Sequence, residues 1–320
     1  MEDNLVRGLI VHPQDLTRET IDRMAAAGLN TLGLHPVGGK DADKTLQQAV
    51  EWHSSPEGSA LIGYAMEKGL KVEYEAHAMG WLLQRELFAE HPDWFRMDEK
   101  GERTPDVNLC PSNAEALSYV AQRTAELARL LPTNSHRYFF WMDDVTGGGC
   151  HCEKCRALSP SDQQLTVVNA MLRGLRKVHA DATMAYIAYL DALVPPAKVR
   201  PEDGVFLEYA PFKRDPDAPM NDADNAKNAA EAAPLPALID FFGKKGAQVL
   251  EYWMDNSMYS GWKRPPKAFR LRESVMKQDV PFYRALGFEE ITSFGCYLGP
   301  DYEALHGRAP IEEYGAILAE

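Results

Sequence analysis

Two adjacent carboxylates, Asp143 and Asp144, follow a strand-like run that ends at Met142 and precede a turn-forming run at 145–149. Neighbouring strand residues point to opposite faces, so both side chains can reach one pocket only where the strand ends and the backbone turns. Two close carboxyl groups tend to titrate separately, which leaves one of them protonated and able to act as an acid. The pair predicts acid–base catalysis, while a solvated acidic turn remains the alternative.

Two further carboxylates, Glu208 and Glu251, belong to the predicted sixth and seventh strands. Glycoside hydrolysis commonly needs two carboxyl groups, roughly 5–5.5 Å apart for retention and 6.5–9.5 Å for inversion of configuration. We therefore predict that Asp144 or Asp143 is the acid/base. Glu251, with Glu208 as second choice, is the predicted nucleophile.

Histidines and aromatic residues follow several of the other predicted strands. Aromatic rings would stack on the apolar faces of sugars, and polar side chains would bind hydroxyl groups; packing beneath loops is the alternative for each ring. The predicted substrate-binding residues are His12, His35, His77, Trp81, Tyr189, Tyr209, Trp253, Asp255 and Tyr297.

A cluster of cysteines follows the two aspartates: Cys150, Cys152 and Cys155. Three thiolates at this spacing form part of a tetrahedral metal site if a fourth ligand arrives from elsewhere. Cys110 is the first candidate, because the loops after strands three and four are neighbours in a barrel, and His151 is another. The sequence thus predicts a structural zinc ion that catalysis does not require. Reduced cysteines in a tight loop, or a disulfide if the protein is exported, remain alternatives. Cys296 is predicted to be a small core residue of strand eight.

The elements that would position these residues alternate between short apolar strands and amphipathic helices, which is typical of an α/β fold. No glycine-rich phosphate turn follows the first strand, which disfavours an open doubly wound sheet. We predict a single (β/α)8 TIM barrel domain over residues 1–320, with an extended loop after strand three at 82–110 and an excursion after strand six at 213–236. The predicted strands are 5–11, 30–34, 71–76, 138–142, 184–189, 205–209, 248–253 and 291–297. Helices are predicted at 19–27, 59–68, 114–131, 163–179 and 269–286.

Composition and charge exclude several classes of partner. The 320 residues include 34 Lys and Arg against 47 Asp and Glu, a net charge of −13. Such a chain is a poor binder of nucleic acid and of anionic membranes, since both interactions depend on clustered cations. The acidic segment 1–4 lacks the features of a signal peptide, so we expect a cytoplasmic protein as numbered, or an exported one if a leader was removed. The sequence leaves open whether the protein is a homo-oligomer.

Several motifs resemble a bacterial family of glycosidase-like barrels that is related to endo-β-N-acetylglucosaminidases. The resemblance covers about residues 70–190 and is carried by these motifs: His91-Pro92-Asp93-Trp94-Phe95, Asn108-Leu109-Cys110-Pro111-Ser112-Asn113, Asp143-Asp144 with the cysteines after it, and Ser161-Asp162-Gln163 running into Val168-Asn169.

This resemblance implies a (β/α)8 barrel that hydrolyses a glycosidic bond with retention, with the substrate's own 2-acetamido group as a candidate nucleophile. In related hexosaminidases an Asp-Glu pair ends strand four; the Asp orients the acetamido group and the Glu is the acid. Here Asp144 replaces that Glu with a shorter side chain. Tyr189, Tyr209 or Tyr297 would donate a hydrogen bond to the acetamido oxygen.

Two other classes of function remain open. A non-catalytic carbohydrate-binding barrel would keep the aromatic residues but would not need paired acids. A metal-dependent hydrolase or isomerase would use His12, His35 and His77 with Glu75 as ligands, although no His-Glu-x-x-His spacing supports it.

Overall fold

The strands of the computed structural model, which describes residues 5–320, form one closed parallel barrel in the order β1 to β8. This confirms the predicted (β/α)8 fold. The strands are β1 (Val6–Val11), β2 (Thr31–Leu34), β3 (Lys71–His77), β4 (Arg137–Trp141), β5 (Thr183–Ala188), β6 (Val205–Tyr209), β7 (Gln248–Glu251) and β8 (Glu290–Phe294).

Helices follow or separate the strands. They are α1 (Arg18–Ala26), α2 (Ala42–Ser54), α3 (Pro56–Glu67), α4 (Met79–Leu82), α5 (Ala114–Leu130), α6 (Pro160–Leu175), α7 (Ala226–Ala232), α8 (Leu235–Phe242), α9 (Asn256–Tyr259), α10 (Glu273–Leu286), α11 (Pro300–His306) and α12 (Ile311–Ala319). Short 3-10 turns lie at Pro13–Asp15, Gly39–Asp41, Arg85–Ala89, Pro92–Trp94 and Leu190–Ala192. None of these helices within residues 5–320 has both the length and the apolar character needed to cross a membrane. The acidic segment 1–4, on which the expectation about a signal peptide rests, lies outside the described residues.

The contacts divide the chain into two units. Of the described residues, the first unit comprises 5–35, Trp52–Glu73 and Glu208–Glu320. Within it β1 pairs with β2 and β8, and β7 pairs with β8, with Gly8 opposite both Thr31 and Thr292. Apolar residues of these strands form its core; Ile10, for example, is fully buried.

The second unit comprises Pro36–Glu51 and Tyr74–Leu207. Here β4 pairs with β3 through Glu75 opposite Phe139, and with β5 through Arg137 opposite Thr183. Helices α5 and α6 pack closely, and a Cβ atom added at Gly174 would lie 2.0 Å from the carbonyl oxygen of Ala121. Close packing of this helix pair therefore depends on a residue without a side chain.

Replacing Gly174 by alanine is expected to lower the free energy of unfolding by about 1–3 kcal/mol, because the added methyl group forces the backbones of α5 and α6 apart. The matched control is Gly63→Ala in α3, where a Cβ meets nothing within 4 Å. Alanine there should raise stability by about 0.5–1 kcal/mol, because glycine loses more backbone entropy in a helix. Urea denaturation of both variants measures the difference, and equal effects would contradict the proposed helix contact.

Helix caps explain where several helices begin. Thr17 and Asn113 accept hydrogen bonds from backbone N–H groups in the first turns of α1 and α5. Helix α6 begins three residues before the predicted position, because Ser159 and Asp162 form a capping box around Pro160.

Other boundaries differ from the prediction. The helix predicted over 269–286 begins only at Glu273, and the strand predicted over 291–297 ends at Phe294. Cys296 is therefore a buried loop residue and not part of strand eight. Helices α2, α4, α7, α8, α9, α11 and α12 were not predicted, and the excursion after β6 contains all of α7 and the start of α8.

Candidate active site

Asp143 lies directly after β4 in the second unit and is held by two partners from the extended loop after β3. Its Oδ2 accepts a hydrogen bond from the Arg85 guanidinium at 2.6 Å and from the backbone N–H of Asn108 at 2.5 Å. The Arg85–Asp143 ion pair is mostly shielded from solvent, with side chains 23% and 13% exposed. Charge-assisted bonds of this kind fix the orientation of a carboxylate.

Asn108 completes this connection from the other side. Its Oδ1 accepts the backbone N–H of Asp143 at 2.9 Å, and its Nδ2 donates to the carbonyl oxygen of Gly148 at 3.1 Å. Its φ angle is +50°, in the left-handed region that asparagine tolerates better than most residues. A single buried side chain thus joins the extended loop to the loop after β4.

Replacing Asn108 by alanine is expected to lower the free energy of unfolding by about 2–4 kcal/mol, from two lost side-chain hydrogen bonds and a strained left-handed backbone. Asn108→Gly loses the same hydrogen bonds, but glycine adopts the left-handed conformation without strain. Its free energy of unfolding should therefore fall by about 1 kcal/mol less than that of Asn108→Ala. Thermal unfolding of both variants checks this order. A glycine variant no more stable than the alanine variant would contradict the role of the backbone conformation.

Asp144 has a different environment. It is exposed, and its Oδ1 accepts a hydrogen bond from the Tyr189 hydroxyl at 2.9 Å. Tyr189 follows β5, so the loops after β4 and β5 meet at this point. The predicted acidic pair therefore has one carboxylate paired with arginine and one paired with a phenol.

His77, at the end of β3, lies beside this pair. Its Nδ1 lies 2.6 Å from the carbonyl oxygen of Met142, which can only accept, so Nδ1 carries the proton. Its ring packs edge-on against Trp141 at 5.1 Å and lies 6.4 Å from Tyr189. The structure thus brings together four of the predicted site residues. One pocket here is lined by His77, Trp141, Asp143, Tyr189 and Asp191, and a second that shares Asp143 is lined by Arg85 and Asp144.

Glu251, the predicted nucleophile, lies in the first unit at the end of β7 and is fully buried. Its Oε1 accepts hydrogen bonds from Arg214 and from the Tyr283 hydroxyl, each at 2.5 Å, and its Oε2 accepts the backbone N–H of Tyr252. Arg214 also pairs with buried Asp279 at 2.7 Å. Burial raises the pKa of Glu251, and Arg214 opposes that shift. The carboxylate is thus part of a buried ion-pair network.

The histidines of the first unit form a compact group. The His12 and His35 rings stack at 5.7 Å, and the His12 ring lies 5.9 Å from Tyr297. His12 Nδ1 donates to the backbone oxygen of His35, and burial lowers the pKa of His12, which favours the neutral ring. Arg264 lies over the Tyr297 ring at 4.3 Å. The group is mostly buried, and burial raises the pKa of Tyr297.

Four other predicted binding residues have structural partners. The Trp81 indole N–H donates to Gln47, and the Trp253 indole N–H donates to Asp279. Tyr209 is fully buried and donates to the backbone oxygen of Glu231, while Asp255 caps α9. Burial raises the pKa values of Tyr209 and Asp255. Their assignment to sugar binding remains a prediction.

Glu75 and Glu208 are fully buried within β3 and β6. Within residues 5–320, the group of three or more potential metal ligands is Cys110, Cys150, Cys152 and Cys155, and neither Glu75 nor a histidine belongs to it. The metal-dependent alternative therefore gains no support, whereas the predicted four-cysteine cluster is assembled. Within residues 5–320, none of the five cysteines forms a disulfide bond.

Arg85 is a site residue that sequence reasoning did not identify, and Asn108 was noted only as part of a motif. Arg85 contacts Asp143 across 58 positions of the chain, from a segment predicted only as an extended loop. Nothing in local spacing indicates such a contact. For Asn108, the signal available was its place in a run shared with the resembled family.

Comparisons with known proteins agree with the fold. No curated protein matches the sequence significantly. A β-galactosidase from Rahnella sp. R3 is 14% identical with a TM-score of 0.57, over 99% of this chain and 56% of that chain. A tri-modular family 5 (subfamily 4) endo-β-1,4-glucanase from Bacillus licheniformis is 12% identical with a TM-score of 0.56, over 99% and 60%. The chain therefore spans less than two thirds of the length of both enzymes.

A family 20 catalytic module of the pneumococcal exo-β-D-N-acetylglucosaminidase is also similar, with 11% identity and a TM-score of 0.53 over 99% of this chain and 84% of that chain. At such identities these likenesses show a shared barrel fold. They support the predicted barrel fold, whereas a glycosidase character and the specific relation to endo-β-N-acetylglucosaminidases remain predictions.

One family model matches the sequence itself, over residues 42–233, which include the extended loop, both aspartates and all four clustered cysteines. Because this match covers more than half of the chain, the protein belongs to the family described as Domain of unknown function (DUF4838).

Proposed function

We propose that the protein is a glycoside hydrolase that acts on an oligosaccharide, with its catalytic residues in the second unit. The observation that carries the proposal is the pair after β4: Asp143 bound by Arg85 and Asn108, and Asp144 exposed and bound by Tyr189. Two carboxylates with different partners can take different roles in one reaction. The barrel fold shared with several glycoside hydrolases adds support at the level of architecture.

Asp144 is the proposed general acid. It is exposed to an incoming sugar, and its partner is a phenol, which does not neutralise a carboxylate as a guanidinium would. In the first step its proton passes to the glycosidic oxygen as the bond from that oxygen to the anomeric carbon breaks. In the second step the carboxylate takes a proton from the attacking water.

The 2-acetamido group of the substrate is the proposed nucleophile. Its carbonyl oxygen attacks the anomeric carbon, and water then opens the resulting ring and restores the group. Arg85 and Asn108 fix the orientation of the Asp143 carboxylate. In this position, Asp143 would accept a hydrogen bond from the amide N–H of the acetamido group. Glu251 is the less suitable nucleophile, since its buried carboxylate already accepts hydrogen bonds from Arg214 and Tyr283. The substrate is accordingly an N-acetyl-β-glucosaminide.

His77, Trp141 and Tyr189 form the proposed sugar-binding wall. His77 and Trp141 line the pocket beside Asp143 and would contact the bound sugar there. Tyr189 lies next to both His77 and Asp144 and is placed to contact the sugar near the reacting bond.

A screen of paired aryl β-glycosides tests this proposal. Each pair has the same leaving group and differs only in a 2-acetamido or a 2-hydroxyl group. We expect turnover of the acetamido member and little turnover of its partner. Equal turnover of the two members would show that the acetamido group of the substrate is not the nucleophile. Sugar binding without any turnover would favour the non-catalytic carbohydrate-binding barrel.

A further inference from the structure

The four clustered cysteines have the spacing of ligands around one metal ion. The Cys110 sulfur lies 3.7 Å from that of Cys152 and 3.9 Å from that of Cys155, and all four sulfurs lie within 4.8 Å of one another. A tetrahedron with zinc–sulfur bonds of about 2.3 Å has sulfur–sulfur edges of about 3.8 Å. The observed distances therefore match a closed tetrathiolate site.

The surroundings of the sulfurs suit thiolates. The backbone N–H of Met97 points at the Cys150 sulfur at 3.3 Å, and the Arg103 guanidinium lies 3.9 Å from the same atom. The Ser112 hydroxyl lies 3.2 Å from the Cys110 sulfur and 3.5 Å from that of Cys152. Hydrogen-bond donors around a metal site orient its ligands and offset their negative charge.

The identity of the ligands selects the metal. Four buried thiolates favour zinc or iron over magnesium and calcium, which prefer oxygen ligands. Four protein ligands also leave no open position for water or substrate, so such a site is structural.

This cluster connects the two segments that hold Asp143. Cys110 lies two residues after Asn108, whose side chain binds the backbone at Asp143 and Gly148. The other three cysteines lie on the continuation of the loop after β4. Gln163 of α6 fastens that continuation by accepting from the backbone N–H of Cys150 and donating to its oxygen.

We propose that Cys110, Cys150, Cys152 and Cys155 bind one zinc ion that fastens the Asp143–Asp144 loop to the extended loop after β3. The ion takes no part in the reaction. Its effect is to hold Asn108, and through it Asp143, in a fixed position.

Elemental analysis of the purified full chain tests the proposal without any assay of activity. We expect about one zinc per chain, released when a mercurial reagent modifies the thiols. Cys152→Ser should lose the zinc, whereas Cys296→Ser, which removes a buried thiol outside the cluster, should retain it. If Cys152→Ser does not fold, the wild-type protein is instead loaded with cobalt in place of zinc. We then expect the absorption spectrum of cobalt bound tetrahedrally by thiolates.

Folded wild-type protein that contains no zinc after expression in zinc-supplemented medium, and whose melting temperature does not rise on addition of zinc, would overturn the proposal. One iron per chain in place of zinc would overturn the identity of the metal. Zinc that Cys152→Ser retains in full would overturn the assignment of the ligands.

Discussion

Replacing Asp144 by asparagine is expected to lower the turnover of an N-acetylglucosamine oligosaccharide about 10²–10⁴-fold, the usual contribution of a general acid. Asparagine keeps the size of the side chain and can still accept the Tyr189 hydroxyl, but it cannot supply a proton. Because Asp144 is exposed, the stability of the variant should remain close to that of the wild type.

The leaving group provides a second readout for this variant. A dinitrophenyl leaving group departs without protonation, so Asp144→Asn should lose much less activity on a dinitrophenyl glycoside than on an oligosaccharide. Asp224→Asn, at an exposed aspartate in the first unit, is the matched control and should behave as wild type on both substrates. An equal loss on both substrates would show that Asp144 has a role other than proton donation.

Replacing Arg214 by methionine is expected to lower the free energy of unfolding by about 3–5 kcal/mol, because a buried ion-pair network loses its cation. Arg214 and its partners Glu251 and Asp279 are almost completely buried, with side chains 4%, 0% and 0% exposed. Methionine preserves much of the side-chain volume, so the decrease in the free energy of unfolding results mainly from the loss of the positive charge. The control is Arg173→Met, since the Arg173–Glu202 pair is 54% and 34% exposed. Exposed pairs contribute about 0.2–1 kcal/mol.

The pH dependence of this loss separates charge from packing. Burial raises the pKa of Glu251 in the folded state. A carboxyl with a raised folded-state pKa contributes stability at low pH that is lost as the pH rises through that pKa. Without the opposing Arg214, this loss should grow, so Arg214→Met should be more destabilised at about pH 8 than at about pH 5. A loss independent of pH would indicate that the packing of the side chain matters more than its charge.

The barrel could be predicted because each strand is a short apolar run with a polar residue at its end. That pattern located all eight strands, including β6 at its observed bounds. Helix boundaries were predicted unevenly: α5 begins at Ala114 as predicted, whereas α6 begins three residues early, after the cap Ser159. Residues 269–272 have no such cap; Arg272 precedes α10 without a side-chain cap hydrogen bond.

The candidate site was predictable only in part. Adjacent aspartates and closely spaced cysteines are visible in the sequence, and the position of Cys110 followed from the order of strands in a barrel. Contacts such as Arg85 with Asp143, or Arg214 with Asp279, join residues far apart in the sequence. They depend on how loops fold over the strand ends, which neither periodicity nor spacing describes.

Hydrolysis of an unmodified N-acetylglucosamine oligosaccharide in oxygen-18 water, followed by mass spectrometry, tests the central claim most directly. We predict shorter sugars that carry one heavy oxygen at the newly formed reducing end, and a rate of formation about 10²–10⁴-fold lower with Asp144→Asn. An oligosaccharide recovered intact, or labelled products formed equally by wild type and Asp144→Asn, would contradict a hydrolase that uses the carboxylate pair after β4.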